Sequence, residues 1–509
     1  MEATAMAKAK DRDILNIFRE IPDNTNWDHP THWMRGGNIQ LSRAFAEFAR
    51  SDPDRAIRLM EQFERLQQER AAGYALDAMA DDAPNDSCVI EALRDLHARG
   101  FQDEEFRQSA ARAIEKIASR KAGISDEVID ILVEWLNLSP AASVEEVEED
   151  IELTSREKDE GLREGSILWS YGNSFVLPGG NFAILSALAS ILLNRKEAGR
   201  DRYLAILDDH FSRERDPNIW KALLYRLSNA GGSTPQIVST FLRKLFARFP
   251  KILATREAVL FLAHAQRWDD QLVFDLISDW RKSDQAFLQR AYGELVGLVA
   301  MVKEKEDWAQ ARDEIMCSGP GDMKIGLAHA AVNMWSDEKL RQRAGETLVA
   351  LLKGASKELV AAVMDVFRVT GELAPDASTV ELLRALADPG TDMSAAPSHF
   401  VVERLQALLP LEPELIATIA EKLVAAWRDK LGDIRTGTST VAPQLTDLAL
   451  TLHRLGGASR QSGVAIFEAM IEMDAYGARE TLAEIDGRFS PHQAAARQRL
   501  ARRRGPRGR

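Results

Sequence analysis

Residues 340–371 read LRQRAGETLVALLKGASKELVAAVMDVFRVTG, and their spacing decides the fold class. Leu340, Ala344, Leu348, Leu351 and Leu352 recur at three- and four-residue intervals, so they share one face of a helix that ends near Gly354. After Gly354-Ala355-Ser356 the pattern restarts with Leu359, Ala362, Val363, Val366 and Phe367 and ends near Gly371. Two amphipathic helices joined by a few residues form an αα-hairpin.

The same pattern extends outward in both directions. Hairpins can be traced from Ser87 to Leu138, from Phe182 to Phe249 and from Thr255 to Phe489. Near the N-terminus, Asp11–Glu20 carries Ile14, Leu15, Ile17 and Phe18, and Asn38–Arg50 carries Ile39, Leu41, Phe45 and Phe48. Helix starts recur as a capping residue followed by proline, at Asp52-Pro53, Asp216-Pro217, Thr234-Pro235 and Ser490-Pro491. Proline is tolerated at the first helical position because its missing N–H would have no intrahelical partner there. No two adjacent segments alternate with the period of a strand. The sequence predicts an all-α protein.

Many of the helices are apolar on two sides, as in Gly326–Trp335 and Val349–Val366, which a helix sandwiched between neighbouring hairpins requires. At 509 residues the chain is long for one compact core, whereas a repeat array lets each unit contact only its neighbours. We therefore expect an α-solenoid of stacked antiparallel helix pairs, HEAT- or armadillo-like, without the fixed period of tetratricopeptide or ankyrin repeats. The expected divisions are an N-terminal helical block at 1–138, an irregular acidic connector and joint at 139–181, a C-terminal solenoid at 182–489, and a final helix with an arginine-rich tail at 490–509.

The connector holds Glu145, Glu146, Glu148, Glu149, Asp150 and Glu152, and Gly165–Leu193 (GSILWSYGNSFVLPGGNFAILSALASILL) follows. Pro178, Gly179, Gly180 and Asn181 suggest an anion cradle at a helix N-terminus, or a turn with Asn181 as cap. The second reading needs only these residue types. It makes the stretch a structural joint of Trp169, Tyr171, Pro178, Gly179, Gly180 and Asn181, with the two aromatic residues as its cover.

Composition excludes several functions. The net charge is −13, which argues against a nucleic-acid clamp over the chain body. Arg497, Arg499, Arg502, Arg503, Arg504, Arg507 and Arg509 leave nucleic-acid contact open only at the C-terminus. No apolar run reaches the ~18 residues of a membrane span, and the N-terminus lacks a secretory apolar region. Cys88 and Cys317 are the only cysteines, which suits core packing in a reducing, cytoplasmic setting.

Motifs of catalysis are missing. Gly432–Ser439 approximates a P-loop, but Thr438 stands where the phosphate-binding lysine is required. No Gly-x-Ser-x-Gly elbow occurs. Asp28, His29 and His32, between Trp27 and Trp33, are the one local metal candidate, although Pro30 prevents their presentation on one helical face. His264, His329, His399 and His453 are isolated on helical patterns and read as surface or core-edge residues. No cofactor is implied.

Four stretches carry a family resemblance: WDHPTHWMRGGNIQLSRAFAEFA at 27–49, SILWSYGNSFVLPGGNFAILSAL at 166–188, QRAYGEL at 289–295 and FEAMIEMDAYGARETLAEID at 467–486. In this order they resemble the long helical C-terminal region of large bacterial STAND-type ATP-binding proteins, several of which act in antiviral defence. That resemblance implies a sensor or partner-binding scaffold, with the chemistry in ATPase and effector domains that this sequence does not contain. The expected protein is thus a non-enzymatic scaffold for a protein partner, working with an ATPase encoded beside it or as part of a longer chain. The alternatives are an enzyme or metal-binding subunit with its site in the 22–37 loop or the 165–181 segment, and nucleic-acid contact through the C-terminal arginines.

Overall fold

A computed structural model describes residues 2–23, 37–120, 123–138, 153, 157–158, 165–169, 178–195, 197–231, 235–303, 305–370, 373–398, 400–433, 435–475, 477–479 and 481–483. Asp28, His29, His32, most of the 22–37 loop, the acidic run, Tyr171, His399, Ser490-Pro491 and the C-terminal arginines lie outside the described residues. Among the described residues every regular element is helical, with no strand. The hairpin that decided the fold class forms as Arg341–Leu352 and Lys357–Met364, extended by Val366–Val369. Gly354 turns the chain at a φ of +67°, a left-handed conformation that favours glycine, and Ser356 caps the second helix by accepting from the Leu359 amide. Of the proline starts, Asp52 accepts from the Arg55 amide and Asp216 from the Asn218 amide at 2.8 Å. Pro217 and Pro235 are each the first residue of a helix.

The chain divides into two compact units, Met1–Thr154 with Gly172–Leu276, and Ser155–Tyr171 with Ile277–Arg509. Within the first unit, contacts run to every second helix. Asn38–Ser51 packs on Glu69–Met79, that helix on Glu104–Ser119, that on Phe182–Leu192, then on Pro217–Gly231 and on Arg256–Ala265. A helix in the middle of such a run must be apolar on opposite sides. In Phe182–Leu192 every residue except Ser190 is buried. Full burial of Leu185, Leu188 and Leu192 contributes about 1.5–3 kcal/mol each. Phe18, Phe45 and Phe63 form an aromatic cluster at the N-terminal end, with centroids 5.1–5.4 Å apart.

In the second unit Ala286–Lys303 packs on Gly321–Met334, which also meets Arg341–Leu352 and Lys357–Met364. Ala377–Ala387, Pro413–Ala426 and Gly457–Glu472 continue the succession. The first crossing is unusually close. A Cβ on Gly293 would lie 2.1 Å from the Met323 carbonyl oxygen, and one on Gly326 would lie 2.1 Å from that of Arg290. Gly297 faces Ala330 with only 2.6 Å for an added Cβ. Small residues four apart on both helices let the two backbones touch.

Three expectations need correction. His329 is a core residue, 2% exposed, because this close crossing encloses it; His264 is half-buried and His453 exposed. Cys317 is exposed and Cys88 half-buried, so core packing does not explain either cysteine. Asn181 precedes the Phe182 helix with helical backbone angles, and its side chain makes no capping bond. Its amide is directed elsewhere.

Candidate functional site

The polar groups that gather in the second unit do so around one carboxylate. Glu294 is the single charged residue in the apolar run Ala291–Met301, and its side chain is fully buried. Burying a carboxylate is costly unless its oxygens are satisfied. Glu294 Oε1 accepts from the Ile167 amide at 2.8 Å and faces His329 Nδ1 at 3.1 Å. Oε2 accepts from the Leu168 amide at 2.8 Å and from Ser166 Oγ at 3.0 Å. Two oxygens thus take four hydrogen bonds, the full capacity of a carboxylate. Ser166 Oγ in turn accepts from the Trp169 amide at 3.0 Å, closing the turn on itself.

Both oxygens of Glu294 receive backbone or hydroxyl donors, and His329 Nδ1 completes the set at 3.1 Å. His329 Nε2 has no hydrogen-bond partner among the described residues. One turn away on the Glu294 helix, Arg290 is paired with Asp322 at 2.6 Å. Arg290, Asp322 and His329 line a cavity of 370 Å³ with Ser356, Glu358 and Asp365.

The described residues of the expected joint fall in different units. Trp169 is half-buried, on the turn that Glu294 holds. Pro178, Gly179, Gly180 and Asn181 belong to the first unit, where a second polar cluster holds Asn181. The Asn181 amide donates to Glu214 Oε2 at 3.1 Å and lies 3.4 Å from His210 Nε2. Burial alone raises the Glu214 carboxyl, but hydrogen bonds from His210, the Asp216 amide and Asn181 hold it below the usual range. Gly180 has a φ of +58°, and the Phe182 amide reaches the Gly179 carbonyl at 3.4 Å, so the predicted turn is present.

A third cluster lies in the first unit. Glu115 accepts from Ser186 Oγ at 3.0 Å and from Arg226, which also donates to Ser186 Oγ at 2.9 Å. The Tyr203 hydroxyl is buried without a hydrogen-bond partner among the described residues, and burial raises its pKa. Among the described residues no group of three or more His, Cys, Asp or Glu side chains is placed to hold a metal ion, and no helix is long and apolar enough to cross a membrane. The P-loop approximation is a helix end, Arg428–Leu431, followed by a 3-10 turn at Gly437–Val441. Comparison with protein families and with curated proteins found no match for this chain.

Glu294 and His329 were the residues that periodicity did not single out. A signal existed: one carboxylate in an eleven-residue apolar helical run, beside a glycine that permits close approach. A saturated carboxylate is an anchor for the 166–169 turn, and it has no free lone pair for acid–base work.

Proposed function

We propose that the chain is an α-solenoid scaffold without catalytic activity of its own, that it binds a protein partner in the bacterial cytoplasm, and that it corresponds to the sensor region of STAND-type antiviral ATP-binding proteins. The next-but-one packing within the first unit supports stacked helix pairs. Degenerate pairs of this kind offer extended surfaces suited to macromolecular contact.

The observation that carries the reading is the Glu294 anchor. The 166–188 and 289–295 stretches are two of the four that carry the resemblance. Ser166, Ile167 and Leu168 of the first are bonded to Glu294 of the second. Two stretches of the resemblance therefore make one structural feature of this chain.

The test is affinity capture from phage-challenged cells, followed by reconstitution of the pair from purified components and an ATPase assay of the chain alone. The expected result is a stoichiometric protein complex and no ATP turnover. Turnover by the purified chain, or failure of every captured protein to re-form a complex, overturns the proposal.

A further inference from the structure

A groove of 870 Å³ runs between Arg341–Leu352 and Ala377–Ala387, two helices of the second unit that pack on one another. Arg341, Gly345, Val349 and Lys353 recur every four residues and line it over the whole first helix, roughly 18 Å at a rise of about 1.5 Å per residue. A Cβ on Gly345 would lie 3.1 Å from that of Ser378, so the helices are almost in contact at this level. Val349, Ala350 and Ala374 are half-buried along the groove, and Pro375 and Ala377 are exposed beside them.

Six charged side chains line it. Arg341 is paired with Asp376 at 3.0 Å and also donates to the Trp335 carbonyl at 3.2 Å, so these two add no net charge. Asp376 further caps its helix by accepting from the Thr379 amide at 3.0 Å. Glu381 faces Arg384 on its own helix, but both are largely exposed, where an ion pair is worth little. Glu338, Glu346 and Lys353 are exposed and form no ion pair among the described residues. Glu346 accepts from the Gln342 amide at 3.0 Å, a neutral donor that leaves its charge uncompensated. Lys353 follows the last residue of its helix, where the negative pole already offsets a cation. The groove therefore holds donors, in Arg341, Gln342 and Lys353, yet its unmet charge is carboxylate, from Glu338, Glu346 and the weakly paired Glu381.

We infer that this groove binds a basic, amphipathic segment of the protein partner, its small apolar side chains on Val349, Ala350 and Ala374 and its lysines or arginines over Glu338, Glu346 and Glu381. An apolar face laid in a groove between helices, with charges at the margin, is a recurrent mode of peptide recognition. Long basic side chains suit it, since their methylenes cover apolar surface while the charged head stays at the rim. Small-molecule sites enclose their ligand. Here Pro375, Ala377 and the three glutamates are exposed, which fits a chain segment lying along the helix. An acidic segment would meet three glutamates against one lysine. The inference rests on the reading of the chain as a protein-binding scaffold.

The experiment titrates the full chain with two acetylated, amidated peptides, one a repeat of lysine-leucine-alanine and the other of glutamate-leucine-alanine, by calorimetry or fluorescence anisotropy. The basic peptide is expected to bind saturably, more weakly as salt is added, and the acidic one not at all. Glu346→Gln should weaken the basic peptide by about twofold to fivefold and Lys353→Gln should strengthen it by a similar factor, the worth of one exposed charge contact. Ala377→Trp, at an exposed position in the groove, should abolish binding without unfolding the chain. No saturable binding, equal binding of the acidic peptide, or unchanged affinity in Glu346→Gln or Ala377→Trp overturns the proposal. Self-association of the chain that Ala377→Trp removes, without peptide binding, assigns the groove to a second copy and overturns it as well. A chain that captures its partner unchanged in Ala377→Trp and binds no basic peptide loses this site and keeps the scaffold reading. A chain that binds the basic peptide here but has no protein partner loses the scaffold reading instead.

Discussion

Glu294 Oε1 accepts from the Ile167 amide at 2.8 Å, across 127 positions of sequence, and both residues are fully buried. Replacing Glu294 with alanine leaves the Ile167 and Leu168 amides, the Ser166 hydroxyl and His329 Nδ1 without their acceptor. The expected loss is about 3–5 kcal/mol, since each buried donor left unmade is costly. Urea unfolding should show a lower midpoint, and limited proteolysis should open the chain near 165–169. A midpoint equal to the parent's would mean that the turn is held by something else.

The close helix crossing makes a prediction by contrast. Gly293→Ala places a methyl group where the Met323 carbonyl stands, 2.1 Å away, and the helices must separate. About 1–3 kcal/mol of destabilisation is expected from such overpacking. Gly321→Ala, on the partner helix, meets nothing within 4 Å. There the gain in helix propensity should leave stability unchanged or higher by up to about 1 kcal/mol. Thermal melts of the two variants should move in opposite directions or differ clearly in size.

Two carboxyls of the first unit give opposite pH limbs. Burial pushes Asp23 up to about 6 against the lowering effects of the Arg70 amide and guanidinium. Its folded value lies above the ordinary 3.8, so its contribution is complete below 3.8 and is lost as pH rises through about 6. Asp23→Asn should flatten this limb and raise stability at neutral pH by about 1–2 kcal/mol, after allowance for partial exposure. Glu214 is held below its ordinary 4.5, so its contribution is present above 4.5 and is lost as pH falls through the depressed value. Glu214→Gln should remove that acid limb. Unfolding free energies measured across the acid range separate the two, and parallel curves for parent and variants would refute both assignments.

Helical periodicity carries the all-α class because it needs only apolar spacing. It locates Asp11–Glu20 at its observed ends and finds the Arg341–Leu352 hairpin from leucine, alanine and glycine alone. Polar contacts between distant helices leave no such trace. Nothing near Asn181 indicates that its amide will leave the cap for His210 and Glu214, since the competition is settled by residues about thirty positions away. His329 looks like a core-edge residue because its burial follows from Gly293 and Gly297 on another helix. The anchor was legible only as an anomaly, a lone Glu294 among apolar neighbours.

Gly180 tests the turn that was legible. Its φ of +58° is accessible to glycine, whereas a β-branched residue there crowds its own backbone. The space around it is ordinary, because an added Cβ would meet Ile219 Cδ1 at 3.6 Å. The penalty of Gly180→Val is therefore conformational and should be about 1–2 kcal/mol. Gly180→Asn should cost less, because asparagine tolerates the left-handed region. Gly179→Ala has a Cβ no closer than 4.0 Å to the Gln108 side-chain nitrogen and should be close to neutral. The order valine, asparagine, alanine in loss of melting temperature identifies backbone strain at residue 180 as the cause. An unchanged melting temperature in Gly180→Val, or equal losses at 179 and 180, would show that the Phe182 helix does not depend on this turn.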